Sequence, residues 1–420
     1  MKCRNCRKKK FSLVAEIGDQ PISSYFPQKK TKLKNYSLNL YKCKHCDLIQ
    51  LYKIPNLQDM YGPQYGYKSG ISNLMVKHLK KKFDWIRNLK IIKKKPNILD
   101  IGSNDGTFLN FFSKLSGNKK LVGIDPSANA FPKSYNKNIK VIIDFFNIES
   151  IDNYFKDIKF SVITSFAMFY DVEDPNTFCK NIYKLLEKNG VWVLEFSYFP
   201  LLLKNLTYDQ ICHEHVMYYT LSTFSKILNQ NNLKVVDFSL NEINGGSIEV
   251  ICAKKSSNLK SKNDKIKDII LQEEKISKED YDRFNLRVQS SKKNLQLFLK
   301  NTKKSEVIGY GASTKGNVIL NYSGISNKDL SLICDANPTK IGKLTPGSYI
   351  PIISKKKMRK IKPKYLLVLI WSFKNEVIRQ EKKFIKNGGK LLFPLPVFHV
   401  VDKENYLDYL KQNLNVLSSN

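Results

Sequence analysis

Five short apolar runs rich in β-branched residues set the strongest limit on how this chain can fold. They are Asn97–Ser103, Leu121–Ser127, Val141–Phe146, Phe160–Phe166 and Val191–Tyr198, and stretches of helical period separate them. Parallel strands need a long crossover, and an amphipathic helix supplies it, so strand and helix in alternation predict βαβ units and a parallel sheet. Two further runs, Leu233–Leu240 and Ser247–Ala253, lie close together around Asn244-Gly245-Gly246 and predict an antiparallel hairpin.

Six strands closed by a terminal antiparallel partner is the layout of a class I S-adenosylmethionine methyltransferase core. The loop after the first strand fits it. Asp100-Ile-Gly102-Ser-Asn104-Asp-Gly106 ends a strand and opens a helix, and Gly102 allows a turn that brings backbone close to a ligand. The second strand ends in Asp125, where an acid can accept both ribose hydroxyls of an adenosine. Asp144 ends the third run, within reach of an adenine amino group, with Phe145 or Phe146 packing on the ring. The expected cofactor residues are therefore Asp100, Gly102, Asn104, Gly106, Asp125, Asp144 and Phe146. An NAD-type Rossmann fold is the rival, weakened because the loop is not G-x-G-x-x-G and the sheet ends in a hairpin.

Four of the eight cysteines form two pairs, Cys3-x-x-Cys6 and Cys43-x-x-Cys46. The sequence MKCRNCRKKKF has charge but no apolar segment of the kind that directs secretion, which predicts a cytoplasmic protein without a signal peptide. In that setting two CxxC pairs point to zinc, with redox or incidental pairs as the alternative. Four thiolates close a tetrahedral shell and leave no position for water, so Cys3, Cys6, Cys43 and Cys46 form an expected structural Zn2+ site. Cys179, Cys212, Cys252 and Cys334 are isolated and read as small buried hydrophobes.

The net charge of +34 invites a nucleic-acid reading, but only seven of the 71 basic residues are arginine. Base-edge readers and phosphate clamps rely on arginine's planar fork, and scattered lysine does not provide it. No nucleic-acid partner is expected, and the charge suits an anionic small molecule such as a nucleotide diphosphate. The run Lys80–Lys82 reads as a solvated helix face. No run of eighteen apolar residues exists, so no membrane span is expected. A monomer or homodimer fits.

The polar, lysine-rich stretch before residue 305 has helical period and reads as one or two connecting helices, a solvated spacer. A further α/β unit begins near Glu306. It contains VIGYGAS, a helix over Lys315–Tyr322, and strands in Leu330–Asp335, Tyr365–Trp371 and Lys390–Pro394. The expected division is a zinc-binding domain over 1–70, a methyltransferase domain over 71–255, a helical connector over 256–304 and a Rossmann-like α/β domain over 305–420.

With these segments in place, the chain resembles the sugar C-methyltransferase family, the nucleotide-sugar 3-C-methyltransferases. The resemblance spans nearly the whole chain. It rests on the two CxxC pairs, on Tyr65-x-Tyr67-x-Ser69-Gly70-x-Ser72-x-x-Met75-x-x-His78, and on LDIGSNDGTFL. It continues in HEHVMYY, in Asn244-Gly-Gly-Ser247, and in GYGASTKGN followed by DANPTKIGK. The resemblance implies methylation of a ring carbon of a nucleotide-linked 4-keto-deoxysugar. It also implies that the Tyr65–Tyr67 segment covers the cofactor, with one tyrosine reaching the substrate.

His213-Glu214-His215 follows the fifth strand on the same sheet edge as the cofactor loop. A metal reading lacks further ligands. His213 reads equally well as a buried structural histidine. His215 fits a base that removes a proton beside a ketone to give an enolate, with Glu214 orienting the imidazole. The family usually has tyrosine where this chain has Cys212, so Tyr218, Tyr219, Tyr65 or Tyr67 is expected to replace that phenol. Lys315, in the second glycine loop, reads as a phosphate contact, with Tyr219 and Asn244 as further substrate contacts. The expected catalytic residues are His215, Glu214, Tyr67 and Tyr65.

Overall fold

The computed structural model describes residues 1–56, 60, 67–89, 96–114 and 120–412. The N-terminal part holds β1 (Phe11–Ala15), β2 (Asp19–Pro21), β3 (Asn35–Ser37), β4 (Leu40–Cys43) and β5 (Ile49–Leu51). The middle part holds β6 (Ile98–Ile101), β7 (Leu121–Ile124), β8 (Ile139–Ile142), β9 (Phe160–Phe166), β10 (Leu186–Ser197), β11 (Met217–Tyr218), β12 (Leu233–Asn241) and β13 (Ser247–Lys254). The last part holds β14 (Val307–Tyr310), β15 (Ile333–Asp335), β16 (Ile352–Ser354), β17 (Tyr365–Val368), β18 (Lys390–Phe393) and β19 (His399–Val401).

The central sheet has seven strands in the order β12-β13-β10-β9-β6-β7-β8. All its pairings are parallel except those of β13, which runs antiparallel to both β10 and β12. This is the arrangement that the alternating runs and the late hairpin predict. The third strand stops earlier than its apolar run suggests, so Asp144 lies in the loop beyond it.

The C-terminal sheet has six strands in the order β16-β15-β14-β17-β18-β19, with β19 antiparallel. β16 and β19 are only three residues each, too short to stand out as periodic runs.

β11 is the unexpected strand. It lies in the middle of the chain yet completes the N-terminal sheet, whose order is β1-β4-β5-β11. The cores interpenetrate in the same way. Val14, Leu38 and Leu40 share one apolar body with Val307 and Ile308, while the zinc-site cysteines and Leu48 share another with Trp192 and Phe224. The connector is two helices, Asn263–Glu273 and Lys278–Lys300, but it is no solvated spacer. Phe284, Val288, Ser291 and Leu295 bury one face of the second helix. Buried Glu273 accepts the Leu221 and Ser222 amides at the start of the earlier helix Leu221–Gln230, and the Tyr198 hydroxyl. No helix among the described residues is long and apolar enough to cross a membrane.

Helix Asn73–Arg87 begins at Ser72, whose side chain accepts the Met75 amide, an N-cap that satisfies an otherwise free N–H. Met75, Leu79, Phe83 and Ile86 recur at helical spacing and bury one face. Lys82 lies on that face as well, so the solvated reading of the lysine run fails at its third member. Its ammonium pairs with Glu195 at 2.8 Å and with Glu249, and all three side chains are under one-tenth exposed. His78, one turn earlier, reaches Glu195 at 2.8 Å. Burial alone would raise the Glu195 carboxyl, but hydrogen bonds and charges from His78 and Lys82 outweigh it and hold it down to about 2.

Removing one member of a buried ion network leaves the others desolvated without compensation. Lys82→Met is expected to lower stability by about 3 kcal/mol in chemical denaturation, and adding Glu249→Gln should restore part of the loss. A Lys82→Met protein as stable as wild type would contradict the network's role.

Candidate active site

A cavity of about 390 Å³ opens along the carboxyl edge of the central sheet. Ligands bind at this edge in open α/β sheets, and the volume lies in the range of small-molecule sites. Its wall contains Asp100, Gly102, Asn104, Asp125, Asp144 and Phe146 on one side, and Asp171, Cys212, Glu214, His215, Asn244 and Lys315 on the other.

The loop after β6 has a left-handed turn at Gly102, φ 73°, and a Cβ there would meet the Met168 side chain at 2.9 Å, so only glycine fits. Gly106, φ 72°, begins the following helix and does not line the cavity; a Cβ there would strike Tyr135. The Tyr135 hydroxyl donates to the Asn104 carbonyl at 2.7 Å and fastens the turn from outside. Asp125 accepts the Asn104 amide at 2.8 Å and the Ser127 amide and hydroxyl, leaving its carboxylate at the cavity wall. Burial lifts the Asp100 carboxyl to about 7, against the Thr164 hydroxyl that donates to it at 2.7 Å. Asp144 caps the turn through the Phe145 amide, and Phe146 packs on Phe178 with ring centroids 4.8 Å apart. Acids at the ends of two successive strands, an aromatic face and a close-approach turn are a donor set that fits an adenosine and a methionine tail.

The Tyr67–Gly70 segment is stitched across this loop. Asn104 donates to the Tyr67 carbonyl at 3.1 Å and accepts the Ser69 amide at 3.0 Å, while Asp105 accepts the Gly70 amide at 2.9 Å. Tyr67 lines the cavity. Tyr65 lies outside the described residues.

The two histidines of the HEH segment part company. His213 is fully buried away from the cavity, its ring near the Gln20 carbonyl at 3.2 Å and the Ser23 hydroxyl at 3.4 Å. It is the structural histidine of the pair. His215 and Glu214 line the cavity. His215 Nδ1 and both Glu214 oxygens are buried with no hydrogen-bond partner among the described residues. Burial, then the charge of Lys315, pushes the His215 imidazole down to about 3, so it is neutral at physiological pH. Tyr170 packs against it with ring centroids 4.1 Å apart, and the Tyr170 carbonyl accepts the Val216 amide at 2.8 Å.

Neither tyrosine after the segment reaches the cavity. Tyr218 donates to the Gln210 carbonyl, and Tyr219 stacks on Phe169 in the core with its hydroxyl on Met217 sulfur. The expectation of Tyr219 as a substrate contact is therefore corrected: it follows β11 directly and packs into the core. Cys212 does line the cavity, and burial pushes its thiol up.

Lys315 does not sit at a phosphate loop of its own domain. Its Nζ donates to Asn244 Oδ1 at 2.9 Å, in the methyltransferase cavity. The glycine loop it leaves behind is filled: Lys340 Nζ donates to the Ala312 carbonyl at 2.8 Å and lies 4.6 Å from the Phe26 ring centroid. Asn244 is aimed by its turn, with Asn205 donating to the Gly245 carbonyl and Trp371 packed where a Gly245 Cβ would be. Asp171 and Tyr170 were not anticipated; their position just past the end of β9, on the cofactor edge, was the available signal.

The four cysteines meet. Their sulfurs all lie within 4.8 Å of one another, the spacing and donor set of a tetrathiolate zinc site. Each CxxC is followed by a residue with positive φ, Arg7 and Asp47, which turns the chain back around the site. From Cys46 the chain runs directly into β5, which pairs with β11: Met217 opposes Gln50, and Tyr218 opposes Ile49.

The sequence matches three family models in chain order. They are a zinc binding domain over residues 3–61, a methyltransferase domain over 76–237 and a C-methyltransferase C-terminal domain over 242–396. The chain is 25% identical to the C-methyltransferase NovU of Streptomyces niveus over 414 residues, covering 96% of this chain and 98% of that protein. It is 30% identical over 131 residues to a tRNA U34 carboxymethyltransferase of Sulfurimonas denitrificans, covering 27% of this chain and 42% of that protein. A solved S-adenosylmethionine dependent methyltransferase from Mesorhizobium loti aligns at 13% identity and TM-score 0.33, over 42% of this chain and 99% of that one.

Cofactor loop, sheet order and family models define an S-adenosylmethionine-dependent methyltransferase with a zinc-binding domain. The C-terminal model and the full-length relative point further, to transfer of the methyl group to carbon.

Two tests follow from the site's geometry. Cys46→Ser should lose one equivalent of zinc and, because β5 holds β11, should also lower hydrogen-exchange protection at Met217 and Tyr218. Unchanged protection there would separate the metal from the catalytic segment. The second test uses His215, whose folded pKa of about 3 is below its ordinary 6.5. Its stabilising contribution is complete above pH 6.5 and is lost as pH falls toward 3. His215→Asn should remove about 1.4 kcal/mol per pH unit of that loss, measured by urea denaturation at pH 7 and pH 5. An unchanged pH slope would rule out a buried neutral His215.

Proposed function

We propose that the chain transfers a methyl group to a ring carbon beside the ketone of a nucleotide-linked 4-keto-deoxysugar, with His215 as the base. One observation carries the reading. The cavity that holds the cofactor loop also holds a neutral, desolvated imidazole and a carboxylate without a hydrogen-bond partner. Carbon methylation beside a ketone needs these groups, because the carbon becomes a nucleophile only after it loses a proton.

S-Adenosylmethionine, when bound, supplies an electrophilic methyl group whose bond to sulfur breaks with both electrons on sulfur. Asp125 and Asp144 hold the adenosine, and Gly102 and Asn104 bring backbone to the methionine portion. Tyr67 covers the entrance and excludes water. His215 takes the proton from the ring carbon, and Glu214 pairs with the imidazolium that forms. Fixing the enolate carbon in line with the methyl supplies much of the remaining rate. Support for a nucleotide-linked sugar comes from the basic composition and from the resemblance carried by the HEHVMYY and GYGASTKGN segments.

The test is a panel of nucleotide 4-keto-sugars incubated with methyl-labelled S-adenosylmethionine and read by mass spectrometry, with NMR to show that carbon carries the label. His215→Asn should slow product formation by roughly 10²–10⁴-fold, while cofactor affinity in calorimetry stays close to wild type. Full activity in that variant would remove His215 as the base, and label on oxygen would remove the enolate.

A further inference from the structure

Enolate formation places negative charge on the carbonyl oxygen, and a site that catalyses it needs a donor aimed at that oxygen. The two tyrosines that follow the HEH segment do not supply one. The hydroxyl of Tyr218 is spent on the Gln210 carbonyl and that of Tyr219 on Met217 sulfur, and neither residue lines the cavity. Cys212 does line it, but a thiol is a weak donor.

Lys315 is the one lysine or arginine among the described residues of the cavity wall. It enters from the C-terminal domain, at the first turn of helix Thr314–Tyr322, and shares the wall with Cys212, Glu214 and His215. Asn244 Oδ1 takes one of its three N–H groups at 2.9 Å and fixes the ammonium. The side chain keeps some accessible surface because it borders the cavity, yet protein surrounds it closely enough that burial lowers its pKa. Asp209, held by the Trp371 indole at 2.8 Å, opposes that shift by its charge. Titratable neighbours in the same lining are Glu214 and His215, with Tyr170, Asp171 and Glu173 just past β9. A phosphate contact has no need of such a setting, since phosphates are bound well by lysines at an open rim.

We propose that Lys315 is the oxyanion donor: its ammonium hydrogen-bonds the substrate carbonyl and stabilises the enolate that His215 generates. The inference rests on the ketone chemistry of the preceding subsection. As His215 takes the proton, the C–H pair becomes the C=C bond and the carbonyl π pair moves onto oxygen, where Lys315 donates without giving up its proton. On methyl transfer the oxygen pair re-forms C=O. The C=C pair makes the new carbon–carbon bond, and the methyl–sulfur pair leaves on sulfur. The C-terminal domain thus contributes a catalytic residue, and its glycine loop serves to aim it.

The experiment has a substrate-free arm and a kinetic arm. In the first, the His215 ring proton is titrated by NMR in wild type and in Lys315→Met. Loss of a neighbouring cation should raise the midpoint by about one pH unit or more, and an unchanged midpoint overturns the inference. In the second, Lys315→Ala is assayed with the keto-sugar that wild type methylates. The expected result is a kcat lowered about 10²–10³-fold with KM within a few-fold, partly restored by added methylammonium. A raised KM with kcat preserved overturns the inference and returns Lys315 to phosphate binding. If wild type methylates no keto-sugar, the ketone reading fails on its own, and the titration still decides whether Lys315 acts on His215.

Discussion

The candidate site hangs on a two-residue strand pairing. β11 follows His215 by one residue, and β5 follows Cys46 by two, so their antiparallel match ties the HEH segment to the tetrathiolate centre. The tie is reinforced on both sides: the Val216 carbonyl accepts the Leu51 amide at 3.0 Å, and the Leu51 carbonyl accepts the Arg4 guanidinium at 2.8 Å. The HEH segment needs this support because it has no regular structure of its own. With Nδ1 unbonded, the His215 ring is positioned by its backbone and by the Tyr170 ring beneath it. A closed zinc shell is well suited to anchor such a loop, since it fixes four backbone positions without a hydrophobic core.

Around this anchor the protein places charge in two separate arrangements. Under the cofactor loop, Glu195 is satisfied several times over, by His78, Lys82 and the Asn241 amide at 2.7 Å, and forms a rigid floor. Around the HEH segment the groups are left short of partners: both Glu214 oxygens, His215 Nδ1 and one Asp209 oxygen find none among the described residues. A satisfied network rigidifies, whereas unsatisfied buried groups cost stability and persist where a ligand completes them. The contrast separates the part of the cavity that holds shape from the part left open to a ligand.

Much of this was legible in the sequence, and the limits have physical causes. Strand period revealed the central sheet, and the spacing of Asp100, Gly102 and Asp125 located the cofactor edge, because backbone geometry enforces both. CxxC spacing located the metal site for the same reason. What stayed hidden depended on tertiary docking. Lys82 looked like its exposed neighbours in a lysine run, and only the placement of Glu195 and Glu249 shows it to be buried. Lys315 sat in a phosphate-like loop, and nothing in the chain announced that its domain turns the side chain toward Asn244. Tyr219 reads as a substrate contact from its nearness to His215, but a two-residue strand is too short to leave a periodic trace, and packing on Phe169 just past that strand turns the ring into the core.

The late arrival of β11 also matters while the chain is being made. β5 emerges early, but its partner lies roughly 165 residues further along. At ordinary synthesis rates that is an interval of roughly 8–33 s. Throughout it, the ribbon carries a bare strand edge of the kind that pairs with other chains. Zinc held by the four cysteines would then shape the segment that carries this edge before the HEH segment arrives to cover it.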